Sequence, residues 1–251
     1  MLNKDHRNLW NFWINPLQKT KILTVNPGDK KGTDRNSQNN SDSRIDYGYG
    51  CLSNKNGVNQ NRSKKQLRSE YIKKRNKLTE EEVERKSKKI TEFLLREKTL
   101  VNARKVGLYF PANNEVNTEF IFNYLRSQGI ITYYPRVCNS GLEFREVRDL
   151  SELVCGSYGI SEPGKIGNAI NNTELDLIVV PGIVFDISGN RIGYGKGFYD
   201  HYLSGMEGQR IYGISYQFQI VPEIPAETHD KRMGKIVTEQ GLIECEKERR
   251  K

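Results

Sequence analysis

Apolar positions along this chain fall into short blocks, and the blocks change period as they go. Leu175, Leu177, Ile178, Val179 and Val180 form a run rich in branched side chains, closed by Pro181 and Gly182. Such a run reads as a strand buried on both faces, as in a mostly parallel sheet beneath helices. Further strands are predicted at Val106–Phe110, Ile130–Tyr134 and Arg210–Tyr216, and in the short segments of KIVTEQGLIE near the end. Leu142 to Val147 alternates apolar with polar, the period of a half-buried strand. Between these blocks the period is helical. Thr79 and Glu82 make a capping box for TEEEVERKSKKITEFLLRE, whose Val83, Ile90, Phe93 and Leu94 share a stripe. Thr118 is the expected cap of a helix running through Leu125. SKKQLRSEYIKKRNKL places Leu67 and Tyr71 on one helical stripe, and Lys64 and Arg68 one turn apart on a common face. Together these blocks predict one three-layer α/β domain, ordered from about Ser63 to Ile243, with helices on both faces of a mixed, mostly parallel sheet.

Residues 1–62 have a different character. From Asn26 to Ser63 the chain is Asn, Ser, Gly, Lys and Asp with few apolar residues, too little to offset the entropy of ordering it. Ahead of that lie Leu9, Trp10, Phe12, Trp13, Ile14 and Leu17, a cluster that suits a docking helix or a targeting peptide. The composition favours a disordered extension over an organellar address, because Asp5 comes early and Arg is sparse.

Charge refines this division. The net charge is +9; residues 1–63 carry ten Lys and Arg against five Asp, and the remainder thirty against twenty-six acids. More than half of the excess therefore sits in the extension. A mildly basic remainder suits an enzyme with anionic small ligands better than a nucleic-acid binder, and there is no aromatic RNA-binding strand. Cys51, Cys138, Cys155 and Cys245 are far apart, and neither they nor the three His have zinc spacing. Free thiols in a reducing, cytoplasmic setting are expected. No apolar run approaches the roughly 20 residues of a membrane span.

The chemistry concentrates just after the Leu175–Val180 run. Gly189, Gly193, Gly195 and Gly197 are interleaved with Arg191 and Lys196, and Phe198, Tyr199, Asp200, Tyr202 and Leu203 then begin a helix. Glycines let successive backbone N–H groups converge, and the two cations add full charges, so the loop suits a polyphosphate. It is not a P-loop, since Gly197 follows Lys196. Nor is it a dinucleotide fingerprint, since Phe198 stands where the last glycine belongs; the fold is Rossmann-like without that motif. Asp200, in the first turn of that helix, is placed to complement its N-terminus.

The run GNRIGYGKGFYDHYL, with LIVVPGIVFD ahead of it, closely resembles the 5-formyltetrahydrofolate cyclo-ligase (5,10-methenyltetrahydrofolate synthetase) family, and YGISEP at 158–163 resembles the family's segment before the loop. The resemblance implies a monomeric enzyme, spanning residues 63–251, that uses ATP and Mg2+ to close 5-formyltetrahydrofolate into 5,10-methenyltetrahydrofolate through a phosphorylated formyl group. It implies Lys64, Arg191 and Lys196 as catalytic. ATP would be held by Lys64, Arg68, Arg191, Ile192, Gly193, Tyr194, Gly195, Lys196, Gly197, Phe198 and Tyr199. The folate would be held by Phe110, Glu115, Tyr194, Gly195, Lys196, Gly197 and Phe198, and the metal by Asp200 and Asp230. Met233-Gly234 departs from the family, where a small hydrophobic–acidic pair precedes the last strand. A non-catalytic relative that binds folate or nucleotide is the alternative, opposed by the intact set Lys64, Arg68, Arg191, Lys196 and Asp200. Arg136, at a strand end, suits either an anionic ligand or a structural pairing.

Overall fold

The computed structural model describes residues 62–139, 141–165, 167–227 and 230–245. Of the extension predicted for residues 1–62, residues 1–61, with the apolar cluster, lie outside them, as does His229.

Helix α1 (Lys64–Arg75) begins with a reciprocal capping box between Ser63 and Gln66 and buries Leu67, Tyr71 and Arg75. Helix α2 (Glu80–Leu94) begins with the predicted Thr79–Glu82 box, and three Glu in its first turn complement the helix dipole. After the short helix α3 (Lys98–Val101) and strand β1 (Lys105–Gly107) comes helix α4 (Glu119–Ser127). Thr118 is its N-cap residue, but the side chain caps nothing. Its backbone is already helical, and its hydroxyl donates to the Tyr109 carbonyl at 2.6 Å. Asn117 Oδ1 instead accepts from the Glu119 N–H.

Strands β2 (Ile131–Cys138) and β3 (Gly141–Val147) form a hairpin, followed by the small pair β4 (Leu153–Cys155) and β5 (Ser161–Pro163) and the edge strand β6 (Ala169–Ile170). Then come β7 (Leu177–Val180), β8 (Val184–Asp186), β9 (Arg191–Ile192), helix α5 (Phe198–Tyr202), β10 (Ile211–Ile214), β11 (Ile220–Val221), β12 (Lys235–Thr238) and β13 (Gly241–Glu244). The main sheet has the order β13-β12-β10-β7-β1-β2-β3-β6. Its five middle strands are parallel; β13 and β3 run against them, and the edge strand β6, antiparallel to β3, runs with them. The mixed, mostly parallel sheet is therefore as predicted. The hairpin β8–β9 was not: both strands lie between β7 and α5, where only a glycine loop was read, and with β11 they form a second sheet, β11-β8-β9. Asp186 closes its turn, accepting from the N–H groups of Ser188 and Asn190, from the Asn190 amide and from Ile224 N–H.

Strand β7 shows why both faces must be covered. Leu177 and Val179 join Ile90 and Leu94 of α2 and Ile121 and Leu125 of α4 on one side. Ile178 and Val180 join Phe144, Phe185, Leu203 and Met206 on the other. All four β7 side chains are fully buried, each worth about 1.5–3 kcal/mol of transfer free energy. Phe185 fits only because two of its neighbours lack a side chain: a Cβ on Gly182 or Gly213 would stand 2.4 or 2.6 Å from its ring. Cys155 and Cys245 are free thiols, and the Cys138 thiol donates to the Gly141 carbonyl at 3.4 Å. Among the described residues no helix is long and apolar enough to cross a membrane.

Sequence order runs outward from β1 in two directions, to β2 on one side and to β7, β10 and β12 on the other. In such sheets ligands enter at the carboxyl ends of the strands where the order reverses. Phe110 after β1 and Pro181 and Gly182 after β7 stand at that place and line a cleft of about 1200 Å³.

Candidate active site

Every residue singled out above as a candidate ligand contact, except Arg136, lines this one cleft: Lys64 and Arg68 from α1, Phe110 and Glu115 from the loop after β1, the segment from Arg191 to Asp200, and Asp230. Arg136 does not line it; its guanidinium donates to the Pro163 carbonyl at 2.7 Å and ties β2 to β5.

The glycine loop between β9 and α5 turns on Gly195 (φ 91°) and Gly197 (φ 67°), both in the left-handed region that favours glycine. Arg68 lies against it. Its Nε donates to the Gly193 carbonyl at 2.8 Å, and a Cβ on Gly195 would meet its guanidinium at 3.2 Å. Gly193 is not left-handed; its lack of a side chain makes room for Arg191.

Two cations of the cleft lining are held in ion pairs. Lys64 Nζ donates to Asp230 Oδ2 at 2.7 Å and to Glu227 Oε1 at 2.9 Å. Burial works to lower the lysine's pKa, but the bonds and charges of Asp230 and Glu227 outweigh it and leave the ammonium above its usual value. Arg191 is 8% exposed, and its Nη2 donates to Asp200 Oδ1 at 3.0 Å. The same Asp200 oxygen accepts from Lys231 N–H, which brings the segment bearing Asp230 beside it. Burial lowers the Arg191 pKa, and Asp200 opposes the shift. Arg191 Nε is buried and has no hydrogen-bond partner among the described residues. An orphaned guanidinium N–H is costly, and an anion placed there would relieve it.

Asp200 is in the first turn of α5, but that helix has no side-chain cap; the carboxylate faces Arg191 instead. Lys196 is exposed, 5.9 Å from the Tyr158 ring centroid. Tyr199 lies under the Arg191 guanidinium and edge-on to Phe144, with its hydroxyl pKa pushed up by burial. Among the described residues no group of three or more His, Cys, Asp or Glu could hold a metal unaided. Asp200 and Asp230 fit Mg2+ of the kind that takes one or two carboxylates and completes its shell with substrate phosphates and water.

The other end of the cleft is built around Glu115, which is 6% exposed. Its Oε2 accepts from Ala112 N–H at 3.1 Å, and its Oε1 from the Tyr194 hydroxyl at 3.1 Å and from Arg75 at 3.5 Å. Burial raises its pKa, and Arg75, the Ala112 N–H and Tyr194 each pull it back down. Sequence reasoning missed Arg75, because a cation in the run KKR looks like solvated surface. It also assigned no chemistry to Tyr158, whose backbone is left-handed (φ 60°) and whose exposed ring lines the cleft. The only sequence signal for Arg75 is its spacing, four residues after buried Tyr71 on the apolar stripe.

Comparison with known proteins agrees with this geometry. Residues 60–239 match the model of the 5-formyltetrahydrofolate cyclo-ligase family. A mouse protein named 5-formyltetrahydrofolate cyclo-ligase is 30% identical, over 72% of this chain and 96% of its own length. A Haemophilus influenzae protein of the same name is 29% identical over 66% of this chain and 92% of its own. The solved structure of Aquifex aeolicus 5,10-methenyltetrahydrofolate synthetase superposes with a TM-score of 0.67 at 31% identity, covering 75% of this chain and 95% of that one. The chain is a member of the 5-formyltetrahydrofolate cyclo-ligase family.

Proposed function

We propose that this protein catalyses the ATP- and Mg2+-dependent cyclisation of 5-formyltetrahydrofolate to 5,10-methenyltetrahydrofolate, releasing ADP and phosphate. The observation that carries the reading is the placement of Lys64, Arg68 and the buried, under-bonded Arg191 around one glycine loop, with Glu115 at the far end of the same cleft. Its names come from the relatives, called 5-formyltetrahydrofolate cyclo-ligases.

An N-formyl group is a poor electrophile, because its nitrogen donates into the carbonyl. In the proposed route the formyl oxygen attacks the γ-phosphorus and ADP departs. N10 then attacks the activated carbon and gives up its proton to the departing phosphate or to water, and the phosphate leaves with the former formyl oxygen. The protein's part is positioning and charge stabilisation, with no protein nucleophile required. Lys64, Arg68, Arg191 and Lys196 face the phosphates. The residue 191–199 backbone and rings line the nucleotide's side, and Phe110, Glu115 and residues 194–198 the folate's. Glu115, as a charged acceptor, suits the forked N–H donors of an aminopyrimidine. Asp200 and Asp230 would hold Mg2+, which neutralises phosphate charge when bound. On binding, Lys64 and Arg191 exchange carboxylate partners for phosphate oxygens, so neither cation is left buried and unpaired. The reading is of a monomer working in the cytoplasm, where cysteines stay reduced.

The test is ADP release measured with and without 5-formyltetrahydrofolate, alongside the absorbance of the methenyl product. Release that requires the folate and matches product one to one is expected. Folate binding with no ADP release would point to a non-catalytic relative, and release that ignores the folate to a different ATP-dependent enzyme.

A further inference from the structure

Arg75 is the most buried large cation in the described chain, 1% exposed, and no phosphate-facing role reaches it. It joins three parts of the cleft wall. Its Nε donates to the Asn113 carbonyl at 2.9 Å, its Nη1 faces the Gly182 carbonyl and Glu115 Oε1 at 3.4 and 3.5 Å, and its Nη2 donates to the Tyr194 hydroxyl at 2.5 Å. The loop answers in kind: Asn114 Nδ2 donates to the Arg75 and Leu78 carbonyls. Asn113 and Asn114 are both left-handed, with φ of 49° and 57°, a strained turn that needs such anchors. A flat fork of donors can serve the β7 end, the residue 112–115 loop and the glycine loop at once, which an ammonium cannot.

We propose that Arg75 is the positioning residue of this cleft, locking the Glu115 carboxylate and the Tyr194 hydroxyl into one wall that presents a charged acceptor to the folate's paired N–H donors. The ligand in that statement rests on the function proposed above; the role of Arg75 toward Glu115 does not. A buried carboxylate stays charged only with compensation, and Arg75 provides the one full positive charge on it. The other groups facing Glu115 are neutral phenols: Tyr109 at the end of β1, Tyr194 in the glycine loop, Tyr199 in α5 and Tyr216 after β10. Tyr194 bonds the carboxylate directly, and the Tyr216 hydroxyl donates to the Glu115 carbonyl. None of them replaces a lost cation.

The sign follows. Burial already raises the Glu115 pKa and Arg75 holds the rise in check. Without Arg75 the carboxyl takes up its proton at higher pH, and the charged acceptor is lost from the acid side inward.

The experiment compares wild type with Arg75→Met, Arg75→Lys, Glu115→Gln and the double variant Arg75→Met/Glu115→Gln. In Arg75→Met, the KM for 5-formyltetrahydrofolate should rise by about 30-fold or more, as for truncating one partner of a buried charge pair, with the KM for ATP within about twofold of wild type. The acid limb of its kcat/KM profile should move to higher pH. Arg75→Lys should keep the acid limb near wild type while still raising the folate KM, because the charge survives and the fork does not. Adding Arg75→Met to Glu115→Gln should cost only a small part of what it costs alone. The Glu115 carboxyl carbon, followed by NMR in ligand-free protein, should titrate at higher pH in Arg75→Met. An unmoved Glu115 midpoint, or an equal loss of kcat with both KM values unchanged, overturns the proposal. If Arg75→Met does not fold, an unchanged folate KM in Arg75→Lys overturns it instead. Because the carboxyl titration uses no substrate, a wild type inert toward 5-formyltetrahydrofolate would refute the functional reading and leave the Arg75 question to the NMR result.

Discussion

Replacing Asp200 by Asn separates two jobs that this residue has been given. If Asp200 served only to complement the start of α5, Asn would substitute without loss, since the two cap helices about equally well. The structure shows a different dependence: the carboxylate is bonded to the guanidinium of Arg191, 8% exposed, at 3.0 Å. Removing one member of a fully buried ion pair costs about 3–5 kcal/mol. The Asp200 side chain is 21% exposed, and the Asn amide oxygen still accepts from Arg191, so the loss scales down to about 1–2 kcal/mol. For a domain of this size that lowers the melting temperature by about 2–8 °C. Turnover should fall by about 10²-fold or more, the usual scale for losing one preorganised electrostatic group, with partial recovery at high Mg2+. Melting curves of the ligand-free protein and ADP release across a Mg2+ titration measure the two effects separately. Turnover equal to wild type would remove Asp200 from the metal site. An unchanged melting temperature would show that the pair with Arg191 contributes nothing to stability.

Other substitutions probe separate parts of the design. Gly195→Ala forces an L-residue to φ 91° and brings a Cβ within 3.2 Å of the Arg68 guanidinium; it should cost about 1–2 kcal/mol and raise the KM for ATP more than that for the folate, as steady-state kinetics will show. Gly213→Ala drives a methyl to 2.6 Å from the Phe185 ring, and calorimetry should find it destabilised by about 1–3 kcal/mol with both KM values unchanged. Deleting residues 1–62 should leave melting temperature and turnover close to those of the full chain, since the family match begins only at residue 60; aggregation or a large loss of stability would show that the extension belongs to the fold.

What the sequence disclosed follows from the range of the forces involved. Strand β7 was legible because burial on both faces leaves no polar position to break the run. The Thr79 and Ser63 boxes lie within three residues of their partners, although only the first was read from the chain. The glycine loop was legible as a turn that gathers cations beside a helix start, since its cations and glycines are contiguous. The β8–β9 hairpin was not, because two-residue and three-residue strands carry too few positions to show a period. Thr118 was misjudged for a related reason: its hydroxyl found a carbonyl nine residues away, and nothing local announces that bond. Arg75 was the deepest omission. Its partners lie 38 to 119 residues along the chain, and a cation can be buried only where such distant groups meet.

Helix α1 serves the cleft from three points of a single face, with Lys64 and Arg68 lining it and Arg75 bracing its wall from behind. Lys64, Arg68 and Arg75 stand at positions i, i+4 and i+11, and eleven residues are close to three whole turns, so the first and last lie about 16 Å apart on nearly the same line. The helix therefore works as a ruler between the Asp230 end of the cleft and the Glu115 end. Substitutions on its outer face leave that measure intact, but changes of length do not. One residue inserted or removed between Arg68 and Arg75 turns everything beyond it by about 100° and shifts it by about 1.5 Å, so one end of the cleft loses its cation whichever end is kept. Insertions and deletions in this part of the chain are therefore expected to be tolerated outside α1, before Ser63 and after Asn76, and not within it.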